Sequence, residues 1–206
     1  NAIGANGLLC RVGLYYHDIG KMLNPQYYVE NQPEGRNPHD RLDPDLSAAI
    51  VKEHVTEGMS LAREAKVPDV VAAFIPEHHG TQRIGFFYER AKEMYGEGEV
   101  DPADYTYPGP KPQSKETAIG MLADSVESAT RALQEPTPER IRDLIRSIVE
   151  TKMHEGQLDE SPITLRELGQ VQDQFVKVLA SVYHHRIDYP QTSHLTRKPA
   201  SAPAAL

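Results

Sequence analysis

A chain of 206 residues, 39% hydrophobic and 25% charged, has enough apolar material for one domain with a substantial core. Its 30 acidic and 22 basic side chains, a formal charge of −8, exclude a general binder of DNA or RNA polymers but not a small anionic substrate neutralised by bound metal. The single cysteine, Cys10, excludes an intrachain disulfide and fits a reducing compartment, and no apolar run is long enough to span a bilayer.

Along the chain the periodicity is helical. Leu8, Leu9, Val12 and Tyr16 predict a first helix running to about Ile19, with Cys10 packed within it and Gly20 as its terminator. The start at Asn1 inside this segment, without a signal-peptide pattern, predicts a fragment of something longer. Residues 23–44 read as a long irregular loop. Asp43 as N-cap and Pro44 at the first helical position then open a helix to about Lys66. Helices are expected at 68–78, 83–95, 113–134, 137–153 and 164–186, with a Gly/Pro-rich loop over 96–112. Thr164 and Glu167 form a capping box. From Pro190 the composition predicts a disordered tail. The expected fold is an all-α bundle over residues 1–189, with long irregular loops and a tail over 190–206.

The chemistry-bearing residues begin with His17-Asp18-Ile19-Gly20-Lys21. Neighbours on a helix point about 100° apart, so His17 and Asp18 suit two metals better than one, the carboxylate bridging both. Alone, the dipeptide more often describes a packed histidine beside a helix-end aspartate. His39-Asp40, without the Gly-Lys sequel, is read as structural. His54 lies on the stripe Leu46, Ile50, His54, Gly58 and needs partners for its ring nitrogens if it faces the core. His78 and His79 end a short helix before Gly80, where the chain can turn both towards a metal. His184-His185 repeats the dipeptide near the last helix end and is read as structural. Asp124 is the one charged residue between Glu116 and Glu127, in a helix where a lone carboxylate is costly. Gly120 and Ser128 on its face leave room for a ligand shell.

The ordered set HD…H…HH…D resembles the HD-domain metal-dependent phosphohydrolases. The segments Ile3-Gly4-Ala5-Asn6, Arg11-Val12-Gly13, Tyr15 to Lys21, Glu30-Asn31-Gln32, Asn37-Pro38-His39-Asp40, His78-His79-Gly80-Thr81, Tyr107 to Pro112 and Ala123 to Glu127 resemble the PgpH-type family. Its members are seven-transmembrane receptors with an intracellular HD hydrolase domain. The resemblance covers roughly residues 1–188. It implies a cytoplasmic domain of a bacterial inner-membrane protein, soluble as this piece and membrane-embedded through an N-terminal region absent here.

The implied activity is hydrolysis of cyclic di-AMP to linear pApA at a two-metal centre of iron or manganese. On this chain His17, Asp18 and Asp124 would hold one metal; Asp18 as bridge, with His54, His78 and His79, would hold the other. The family also uses a histidine upstream of the HD pair, and none precedes His17 here. Asp18 and Lys21 are the catalytic residues expected, Lys21 stabilising charge on the phosphoryl oxygens. Arg83 is expected as a second phosphate contact, and Tyr107 is expected to flank adenine. The sequence after His79 lacks the Gly-Tyr-Pro motif of cyclic di-GMP enzymes. Other nucleotides, such as (p)ppGpp or a dNTP, leave the Tyr107 to Pro112 segment unexplained. A non-catalytic cyclic-dinucleotide sensor is the reading from another class.

Overall fold

Residues 2–32 and 37–184 are described in a computed structural model, and all their regular elements are helical. The expected 190–206 tail, the boundary before it and His185 lie outside the described residues. Among the described residues eight α-helices are formed: α1 (Gly7–Tyr16), α2 (Pro44–Glu64), α3 (Asp69–Ala72), α4 (Phe74–Glu77), α5 (Gly85–Tyr95), α6 (Lys115–Arg131), α7 (Pro138–His154) and α8 (Leu165–His184). Among the described residues no helix is long and apolar enough to cross a membrane.

Local chemistry sets most of the starts. The Asn6 side chain accepts from the Leu8 and Leu9 amides, Ser114 and Thr117 cap α6 reciprocally, and Thr137 accepts from the Arg140 amide. The Thr164–Glu167 box forms as expected, with bonds of 2.9 and 3.3 Å. Asp43 precedes Pro44 as expected, yet its side chain makes no capping bond and only its carbonyl engages, accepting from Ser47. The helix expected over 68–78 is two short ones divided at Ala73. Pro76 has no amide to offer the Ala72 carbonyl, so the ladder breaks there.

The largest core joins α6, α7 and α8 through Met121, Leu122, Val126, Ile141, Ile145 and Val149. Smaller clusters join α2 to α5 and α2 to α3 and α4. On α2 the inward stripe includes Ser47, His54, Gly58 and Ala62, while Leu46 is half exposed; the expected stripe is therefore displaced at its start. Phe74 of α4 fills the space between α1 and α6, and glycines on both sides admit its ring. A Cβ on Gly13 would lie 2.3 Å from that ring, and one on Gly120 would lie 3.0 Å from it. Gly120 thus serves helix packing, not a ligand shell.

Gly20 is likewise not a helix terminator. Helix α1 ends at Tyr16, and Gly20 lies buried in a 3-10 turn, Ile19–Met22, pressed on α2. The long loops carry further single 3-10 turns at Pro25–Tyr27, Val29–Asn31, Pro38–Arg41, Glu97–Glu99 and Pro102–Tyr105.

Gly13→Ala is expected to destabilise by about 1–3 kcal/mol through overpacking. Gly169→Ala, on the open side of α8 with nothing within 4 Å, is expected to stabilise by about 0.5–1 kcal/mol. Urea denaturation measures both. Lys115 pairs with Glu167 across α6 and α8, and with the Thr164 cap it holds the Glu167 carboxyl down at about 2, against 4.5 when free. A carboxyl lowered on folding stabilises above its unfolded pKa and loses that contribution as pH falls through the folded one. The melting temperature of Glu167→Gln should therefore lie below wild type at pH 7, with the gap narrowing by pH 3.

Candidate metal centre

Four segments bring their polar side chains to one point. His17 and Asp18 follow the end of α1, His54 sits in mid-α2, His78 and His79 follow α4, and Asp124 faces them from α6. The Asp18 carboxylate lies at the middle. Its Oδ2 is 3.1 Å from His17 Nε2, while its Oδ1 is 3.5 Å from His54 Nε2 and 3.6 Å from His78 Nε2. Asp124 Oδ1 is 3.6 Å from His17 Nε2. Among the described residues two groups have ligand atoms within 4.8 Å of one another: His54, His78, His79 and His17, Asp18, His78. His78 thus borders both, where the resemblance assigned it to one.

The helices also determine which nitrogen faces the centre. His17 Nδ1 meets the Leu14 carbonyl at 2.7 Å, His54 Nδ1 meets Val51 at 2.6 Å, and His78 Nδ1 meets Ile75 at 2.7 Å. Each contact is three residues back along the chain. A carbonyl only accepts, so each Nδ1 carries the proton and each Nε2 is turned inward, as a lone pair at the neutral His54 and His78. His54 Nε2 and His78 Nε2 then face each other at 3.5 Å with nothing to donate. His17 Nε2 and Asp18 Oδ1 are buried without a hydrogen-bond partner. Inward lone pairs around a carboxylate want a cation, and this donor set fits a divalent transition metal.

Electrostatics agree. Burial pushes His54, His78 and His79 down, His78 to about 4, keeping them neutral as ligands must be. At His17 burial opposes the charged form, but Asp124 and Asp18 outweigh it and raise the ring to about 10. Burial opposes ionisation of Asp18 too, yet His17 and Lys21 hold its carboxyl well below the usual range.

Lys21 Nζ is 2.8 Å from Asp18 and 2.7 Å from Glu30, and lies 5.3 Å over the Tyr28 ring. Two clefts border the cluster. One of about 540 Å³ is lined by His17, Asp18, Lys21, Asp124 and Ser128. The other, of about 260 Å³, is lined by Lys21, Tyr28, His54, His79 and Tyr107.

Tyr107 is brought to the centre, with one ring face stacked on His79 and the residue lining the smaller cleft. Arg83 is not brought there. Its guanidinium packs 4.6 Å over Tyr88, facing a separate cleft with Thr81 and Gln82, because the backbone pairing of Arg83 with Thr106 turns it away. His39 is structural as expected, buried with Nε2 3.0 Å from the Tyr27 carbonyl. Sequence reasoning missed Tyr28, which meets His54 edge-on, and the role of Glu30 as partner to Lys21. Only the Glu30-Asn31-Gln32 segment hinted at the latter.

The HD domain family profile matches residues 1–129. The chain belongs to the HD-domain family. That family implies a divalent metal site, and the His/Asp cluster is where this HD domain fits one. The chain is similar to cyclic-di-AMP phosphodiesterase PgpH of Bacillus subtilis strain 168, 46% identical over 192 residues, covering 93% of this chain and 27% of the relative. PgpH of Listeria monocytogenes is 45% identical over 188 residues, covering 91% and 26%. The chain thus spans about a quarter of the length of these relatives. The crystal structure of the L. monocytogenes PgpH HD domain in complex with cyclic-di-AMP superposes with a TM-score of 0.84 at 44% identity, over 88% of this chain and 84% of that one.

The cluster depends on close approach at Gly20. A Cβ there would stand 2.0 Å from the His54 carbonyl oxygen and 2.7 Å from the Gly58 amide. Gly20→Ala should push Asp18 from His54 and His78 and weaken manganese binding by at least about tenfold with helix content retained. Isothermal titration calorimetry and far-ultraviolet circular dichroism make the check.

Proposed function

We propose that this HD domain is a metal-dependent phosphodiesterase that hydrolyses cyclic di-AMP to linear pApA. His17, Asp18 and Asp124 hold one metal ion, and Asp18, His54, His78 and His79 hold a second, iron or manganese. The observation that carries this reading is the Asp18 carboxylate, one oxygen turned to His17 and the other to His54 and His78. Its support in kinship is the similarity to PgpH over 93% of the chain.

Bound metals supply Lewis acidity to the phosphodiester oxygens and a water of lowered pKa. The protein's own part is to keep the Nε2 lone pairs converged and to exclude competing donors. Lys21 brings its ammonium to the edge shared by the two clefts, where it neutralises charge developing on the phosphoryl oxygens. Water adds at phosphorus and the 3′-oxygen leaves as a hydroxyl, giving a 5′-phosphate. The whole protein is proposed to be membrane-embedded, with this domain on the cytoplasmic side of a bacterial inner membrane. Support comes from the relatives, which are about four times the length matched.

Asp18→Ala is expected to lose metal and turnover together, measured by elemental analysis and by chromatography of pApA formed from cyclic di-AMP. Retained hydrolysis by that variant would overturn the centre; tight cyclic di-AMP binding by the metal-loaded wild type without pApA would favour a sensor. The His17/Asp18/Asp124 group offers three side chains against the four of Asp18, His54, His78 and His79, and should release metal first on chelation. Asp124→Ala should remove that early phase and His54→Ala the late one.

A further inference from the structure

Three of the four clustered histidines are oriented by a backbone carbonyl on Nδ1, and His79 is not. Among the described residues it has no such hydrogen bond; its contacts are rings. Tyr107 lies parallel to it, centroids 4.0 Å apart and planes 12° from parallel. His78 covers another side at 3.9 Å and 42°, and His54 meets it edge-on at 5.0 Å. We propose that Tyr107 is a positioning residue for the metal centre: its buried ring holds His79 in the plane in which its ring nitrogen faces His54 and His78.

The backbone supports this assignment. Tyr107 N donates to the Gln82 carbonyl at 2.9 Å, and Ile84 N donates to the Tyr105 carbonyl at 2.7 Å. With the Arg83–Thr106 bridge these bonds clamp the segment just after His79 to the segment carrying Tyr107. Thr81 N donates to Gln157 at 3.0 Å, tying the same turn to the residues after α7. The ring is only 8% exposed, and burial together with the Asp18 charge raises the phenol, so it stays neutral. A flat uncharged ring limits rotation of the imidazole without competing for metal. A carbonyl would do so by a hydrogen bond; here a stacked face does it.

The inference rests on the metal-centre reading, and its test separates the two. Cobalt(II) is titrated into the full chain and followed by visible absorption. Tyr107→Leu, which keeps an apolar side chain but loses the stack, should bind one cobalt about 10–100-fold more weakly, with an altered band pattern. Tyr107→Phe should restore both affinity and spectrum. No cobalt uptake by the wild type overturns the metal-centre reading and this inference with it. Wild-type uptake that Tyr107→Leu matches in affinity and spectrum overturns the inference alone. Should Tyr107→Leu fail to fold, the wild type decides by nuclear magnetic resonance. His79 ring protons shifted upfield by the Tyr107 ring current support the stack, and unshifted ones overturn it.

Discussion

Imidazole nitrogens from three segments converge on one carboxylate, and the rest of the molecule is arranged to keep them there. His17, His54 and His78 each lend Nδ1 to a carbonyl three residues back and turn Nε2 inward. A histidine at a helix end or within a helix reaches that carbonyl without distortion. The helix is therefore both the scaffold and the device that selects the tautomer.

Holding such a centre requires rigid surroundings. Phe74 is wedged between Gly13 and Gly120, fixing α4 against α1 and α6, and hence His78 against His17 and Asp124. Gly20 allows the turn after Asp18 to lie directly on the α2 backbone near His54. Small residues are used where two ligand-bearing elements must touch, and larger aliphatic ones fill the distant α6–α8 core. Close packing makes these contacts stiff, so ligand distances follow from backbone approach.

The neighbours of the cluster divide into those that hold ligands and those that face the clefts. Tyr107 and the carbonyls belong to the first set. Lys21, with Glu30 and Tyr28 around it, belongs to the second, and it is the cation common to both bordering clefts. Its ammonium is held between Asp18 and Glu30 at the edge of both clefts.

By itself the sequence determined the helical class, most helix starts and the identity of the His and Asp set, because caps, apolar period and an HD-x-G-K string are local signals. It also marked Lys21, three residues after Asp18. Tertiary structure alone decided that His78 borders both ligand groups, that Gly20 and Gly120 serve close approach, that Tyr107 stacks on His79 and that Arg83 turns to Tyr88. Each of these depends on which elements meet across gaps of tens of residues. Spacing along a chain carries no record of that distance until the helices pack.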